Sequence, residues 1–86
     1  MKESQIQSKK IKELEAQGYY VIKLIKTNKN GIPDLIAIPK DSDVEFYEVK
    51  RPTGKTSKLQ EYRVKELQAH GLKVEIYKGI ESNDNA

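Results

Sequence analysis

Gly31-Ile32-Pro33-Asp34-Leu35-Ile36-Ala37-Ile38, then after a five-residue polar loop Val44-Glu45-Phe46-Tyr47-Glu48-Val49-Lys50, is the stretch that decides how this chain is read. Leu35 to Ile38 is short, wholly apolar and β-rich. Val44, Phe46, Tyr47 and Val49 make a second such run, so both segments read as strands of a buried sheet. Pro39-Lys40-Asp41-Ser42-Asp43 between them is dense in turn formers. A turn centred on Asp41 pairs Ile38 with Val44 and Ile36 with Phe46. The same antiparallel register sets Asp34 opposite Glu48, and a slip of one residue would send the two carboxylates to opposite faces. Lys50 follows Glu48 on the same side by the two-residue strand period.

Opposed side chains on one sheet face stand about 5 Å apart at Cβ, where like charges destabilise the pair. A divalent cation removes the repulsion. Two carboxylates from adjacent strands, with water completing the shell, suit Mg²⁺, which takes one or two protein oxygens together with substrate phosphate. Singly, each motif has an ordinary explanation: Asp34 after Pro33 fits a turn, and Glu-x-Lys arises by chance in a lysine-rich chain. Gly-x-Pro-Asp followed by a strand ending in Glu-x-Lys, with the correct facing parity, points instead to a site.

Gly31-Ile32-Pro33-Asp34 and Glu48-Val49-Lys50 resemble the signature of the PD-(D/E)XK nuclease superfamily, and the surrounding pattern resembles its VRR-NUC branch. The resemblance spans nearly the whole chain, from Glu3 in a leading helix through Gly18, the hairpin and Arg51 to the Ser57-x-x-Gln60 opening of a second helix. It implies an α/β fold with a restriction-endonuclease-like core in the order α-β-β-β-α-β, a central mixed sheet flanked by helices. It also implies metal-dependent hydrolysis of DNA phosphodiesters. Asp34, Glu48 and the carbonyl of Val49 would bind Mg²⁺ or Mn²⁺, Lys50 would orient a water or steady developing charge, and Gln60 would line the site. Small stand-alone members of this branch are similar to Holliday-junction resolvases. A homodimer acting on branched, four-way DNA is therefore the expected assembly. The alternative is a non-catalytic nucleic-acid-binding module that keeps the fold, although such a module gains nothing from two opposed carboxylates facing phosphate.

Working outward from the hairpin, Lys2 to Gln17 reads as an amphipathic helix with positions 3, 6, 7, 10, 11 and 14 on one stripe. Glu3 lies on that stripe one turn before Ile6, at the end able to overhang the site. An acid in a first turn is also favoured by the helix dipole, so Glu3 is equally a metal-water contact or a helix-start residue. Gly18 ends the helix as a left-handed cap would, and Tyr19 to Ile25 is the next strand. Leu14-Glu15-Ala16-Gln17-Gly18 is echoed by Leu67-Gln68-Ala69-His70-Gly71, one helix-to-strand junction used twice. Lys26 to Gly31 is a polar loop.

After the hairpin no acid occurs between Glu48 and Glu61, while Lys50, Arg51, Lys55 and Lys58 crowd a loop punctuated by Pro52 and Gly54. Arg51, Lys55 and Lys58 suit phosphate contacts, which give affinity without reading sequence. Gly54-Lys55-Thr56 is no P-loop, because Val49 stands where that motif needs its first glycine; no nucleotide cofactor is expected. Ser57-Lys58-Leu59-Gln60 is a capping box, and Gln60 shares a stripe with Val64 and Leu67, so its structural and site roles are compatible. The helix runs to His70 and gives way to a strand over Leu72 to Tyr77. His70 sits in a last turn and carries no expected role in the chemistry.

Eighty-six residues make one small domain whose core is thin enough for oligomerisation to help it. The reading assigns residues 1–80 to that domain and 81–86 to a polar, frayed tail. With no cysteine there is neither a disulfide framework nor a thiolate zinc site. No apolar run reaches membrane-spanning length, nor does a signal-like stretch follow Met1 and Lys2. A cytoplasmic protein of bacterial or phage kind is expected. The net charge of +3 permits a nucleic-acid partner without demanding one.

Overall fold

In the computed structural model, which describes residues 1–79, the elements follow the expected order. They are α1 (Glu3–Ala16), β1 (Tyr20–Lys23), β2 (Leu35–Ile38), β3 (Glu45–Lys50), α2 (Lys58–Ala69) and β4 (Lys73–Lys78). Ile80 and the tail expected at 81–86 lie outside the described residues. The four strands form one mixed sheet in the order β1-β2-β3-β4, antiparallel between β1, β2 and β3 and parallel between β3 and β4.

The hairpin register is the one the turn requires. Ile36 pairs with Phe46, flanked by Leu35 with Tyr47 and Ala37 with Glu45, so one further step sets Asp34 opposite Glu48. Alternation then separates two faces. Leu35, Ala37, Tyr47 and Val49 turn to one side and close over Ile6 and Leu14 of α1 to form the core, with Ile11, Tyr19, Val21 and Tyr77 packed around it. The other side carries Ile22, Ile36, Phe46, Val74, Asp34, Glu48 and Lys50. Helix α2 packs mainly on β4 and reaches β3 through Gln60 and Glu48.

Both helices end as the repeated junction predicts. Gly18 has φ +94° and Gly71 φ +82°. In each case the glycine N–H and the next amide fold back onto the last turn: Gly18 to Glu15 and Tyr19 to Leu14, then Gly71 to Gln68 and Leu72 to Leu67. That is a Schellman cap at both positions. At the start of α2, the Ser57 hydroxyl accepts from the Gln60 amide at 3.1 Å while the Ser57 amide donates to Gln60 Oε1 at 2.8 Å.

Strand β1 is shorter than the apolar run Tyr19 to Ile25 suggests. The Leu24 amide still donates to the Asp34 carbonyl at 2.8 Å, but beyond it the chain leaves the ladder and Ile25 stands 87% exposed. Among the described residues no helix is long and apolar enough to cross a membrane.

Candidate active site

Strands β2 and β3 deliver Asp34, Glu48 and Lys50 to one end of the sheet, where the chain leaves β1 and enters β2 and where β3 gives way to the loop before α2. Asp34 is fixed by the backbone opposite, its Oδ2 accepting the Val49 amide at 2.8 Å. Val49 therefore has two functions. Its side chain is fully buried in the core, and its main chain borders the site.

Glu48 is the unusual group. Its side chain is almost wholly inaccessible, at 2% exposure. Oε2 accepts from Gln60 Nε2 at 3.1 Å and lies 3.7 Å from the Lys50 ammonium, while Oε1 is buried without a partner. Burial first, and then the neighbouring Asp34 charge, push its carboxyl from 4.5 up to about 7, against the opposing pull of Lys50. The closeness of the Asp34 carboxyl and the charge of Glu3 act in the same upward direction. A buried carboxylate oxygen lacking a donor is costly, and its natural complement is a cation.

The expected residues thus divide in two. Asp34, Glu48, Val49, Lys50 and Gln60 are brought together, and Glu3, at the first turn of α1, is near enough for its charge to act on Glu48. Arg51, Lys55 and Lys58 are exposed, engage in no ion pair among the described residues, and follow directly on from Lys50. No group of three or more His, Cys, Asp or Glu side chains among the described residues is placed to hold a metal. The protein donors converging here are two carboxylates beside the Val49 main chain. That sparse all-oxygen set, with an orphaned oxygen in it, fits a hard cation that keeps water in its shell.

Sequence reasoning missed a second buried acid. Glu45, on the α1 side of β3, is 8% exposed; it accepts from the Tyr47 hydroxyl at 2.7 Å and from Tyr19 at 3.4 Å, with Lys73 at 3.8 Å. Burial and the Glu45 carboxylate together push the Tyr47 phenol well above its usual range. This cluster lies on the opposite face from Asp34 and locks β3 to the core. Two further ties went unread: Arg63 Nε donates to the Asn30 carbonyl at 2.9 Å, and Gly31, at φ +81°, packs so tightly on Leu59 that a Cβ there would meet it at 2.8 Å. Both hold the β1–β2 loop against α2.

A model of the VRR-NUC domain family matches residues 1–81. The chain belongs to the VRR-NUC family. A solved structure titled "VRR_NUC domain" superposes with a TM-score of 0.81 at 26% identity, covering 95% of this chain and 89% of that one. A search of curated proteins finds no match. Membership makes this a nuclease-type domain, for which DNA is the substrate class implied. The VRR-NUC fold is also the one expected, a four-stranded mixed sheet flanked by helices in the order α-β-β-β-α-β.

Proposed function

We propose that this VRR-NUC domain is a Mg²⁺- or Mn²⁺-dependent endonuclease that hydrolyses DNA phosphodiester bonds, selecting branched structures such as four-way junctions and working as a homodimer. The observation that carries the reading is the buried, unpartnered Glu48 Oε1 beside Asp34. An acid pair this desolvated is poorly suited to bind phosphate directly and well suited to do so through a cation.

Asp34, Glu48 and the Val49 carbonyl would hold the ion, which when bound lowers the pKa of a water and neutralises charge on the scissile phosphate. The chain's own residues do the remaining work. The Val49 amide aims the Asp34 carboxylate, and Gln60 does the same for Glu48. Lys50, with its ammonium against Glu48, is placed to orient the attacking water and to stabilise negative charge as it develops. Glu3 contributes a further acid at the rim, suited to a water contact. Arg51, Lys55 and Lys58 supply phosphate contacts that add affinity without sequence preference.

The homodimer reading gains support from the uncovered part of the sheet. Tyr20 is 71% exposed and Ile22 41%, on the same face as the site and beyond the reach of α2. Cleavage of linear, flapped and four-way DNAs with Mg²⁺, with Mn²⁺ and with EDTA tests the proposal. Metal-dependent incision centred on the branch is expected, and failure to cut any DNA with either ion would leave a binding module.

A further inference from the structure

The site is bordered by two basic stretches, of which the β3–α2 loop is only one. From Ala16 to Pro33 the chain contains no acid, just as there is none between Glu48 and Glu61; the two acid-free stretches meet at the Asp34–Glu48 pair. The first of them includes the β1–β2 loop, which walls a polar cleft of about 310 Å³ ending at Asp34. Ile25, Lys26, Thr27, Lys29 and Asn30 line it, and neither lysine makes an ion pair among the described residues.

This loop has a built shape. Arg63 holds the Asn30 carbonyl, Gly31 is pressed onto Leu59, and the Thr27 hydroxyl bonds the Lys29 carbonyl. The ties hold the backbone while Lys26, Lys29 and Ile25 stay exposed, with the Lys29 charge also felt by Glu66 of α2. Ile25, 87% exposed, sets an aliphatic side chain beside this cationic cleft, and apolar side chains placed against nucleic acid pack on unstacked bases.

We propose that the β1–β2 loop is a second nucleic-acid arm. Lys26 and Lys29 take phosphates of the substrate strand on the side of the scissile bond opposite Arg51 and Lys55, and Ile25 lies against an unstacked base next to it. The strand then crosses the sheet end from the β1–β2 loop, over Asp34 and Glu48, to the β3–α2 loop. Unstacking a base against Ile25 costs least where the helical stack is already interrupted, so Ile25 favours branched over continuous duplex DNA. The inference rests on the nuclease reading for the position of the scissile bond, but its test requires no cleavage.

The experiment is anisotropy binding of the full wild-type chain and its variants to a labelled four-way junction and a linear duplex, in EDTA, over a series of salt concentrations. Lys26→Gln and Lys29→Gln should each flatten the slope of log affinity against log salt by about 0.9 on both DNAs. Lys23→Gln, on β1 away from the cleft, should not. Ile25→Ser should leave the slope alone and reduce the preference for junction over duplex about fivefold or more, as expected for losing part of an aliphatic side chain's burial. Circular dichroism confirms that each variant is folded, and Lys26→Arg and Lys29→Arg should restore the slope. Unchanged slopes in both glutamine variants, an equal effect from Lys23→Gln, or an unaltered preference in Ile25→Ser overturns the proposal, as does absence of any DNA binding. A wild type that binds as described and cuts nothing would instead remove the nuclease reading and leave the arm in place.

Discussion

Gln60 joins two structures with one side chain: its Oε1 accepts the Ser57 amide at 2.8 Å, closing the cap of α2, and its Nε2 donates to Glu48 Oε2 at 3.1 Å. The start of α2 is thereby coupled to the acid pair. Gln60→Ala should lose the amide-side half of the cap, costing about 0.5–1.5 kcal/mol for the lost hydrogen bond, and also release Glu48. Gln60→Glu is the sharper variant. Glutamate suits the third helical position as well as glutamine does, so a purely structural Gln60 predicts no loss of stability. A residue that orients Glu48 predicts metal-free destabilisation that grows from pH 5 to pH 8 as a second charge faces Glu48. Thermal unfolding at the two pH values distinguishes them.

The raised Glu48 carboxyl has a linked effect on stability. It titrates at about 7 in the fold and at the ordinary 4.5 when exposed. Between those values the folded state binds more protons than the unfolded one, so metal-free stability should fall as pH rises through that window and level off above about 7. The whole effect is on the order of 3 kcal/mol. Glu48→Gln should abolish the dependence and be the more stable protein at pH 8, with the two converging near pH 4.5. Added Mg²⁺ should then stabilise the wild type at pH 8 but not the variant. Chemical denaturation across pH, with and without the ion, checks both signs; a variant less stable than wild type at pH 8 without metal would count against the pairing.

Activity should depend on the acids as a unit. Asp34→Asn or Glu48→Gln should each remove most cleavage, with the double variant little worse than either, because groups acting together are non-additive. Binding to DNA should survive in all three. Single-turnover cleavage alongside anisotropy separates the two properties.

Lys50 and the exposed cations beyond it should behave differently. Neutralising Arg51, Lys55 or Lys58 should weaken binding to all sequences alike and flatten the salt dependence by about one unit per contact. Lys50→Ala should reduce turnover more than affinity, since its ammonium lies against Glu48 rather than in the solvent-facing loop. The reverse ordering would make Lys50 a phosphate contact.

How far the sequence foretold this structure follows from the range of each interaction. The facing of Asp34 and Glu48 depends on strand parity and one turn, both local, and was readable. So were the Gly18 and Gly71 caps and the Ser57–Gln60 box, each complete within about six residues. Glu45 was not, because a charge in a strand ordinarily faces water. It is buried here because Tyr19, 26 residues away, and Tyr47 place hydroxyls beside it. The Arg63–Asn30 tie spans 33 residues and gives no local signal. The acid-free composition of the β1–β2 loop was visible, but its closure into a cleft ending at Asp34 depends on α2 packing against Gly31.

The dimer prediction can now be assigned to particular side chains. Of the chain's five tyrosines, Tyr47 is buried and Tyr19 and Tyr77 pack on the core, while Tyr20 and Tyr62 are exposed. Tyr20 stands beside Ile22 on the open part of the sheet, where apolar surface flanks the site without cover. A twofold axis through that surface would give an isologous interface and set two active sites against the near-twofold form of a four-way junction. Light scattering at micromolar concentration should report about twice the chain mass. Tyr20→Glu with Ile22→Lys should yield a folded monomer, whereas Tyr62→Glu, on α2, should leave the dimer intact. In mixed dimers, one Glu48→Gln subunit should permit nicking of a junction but not its paired incision. A wild-type monomer that still makes both cuts would overturn the assembly and shift the substrate towards nicked, flapped or linear DNA.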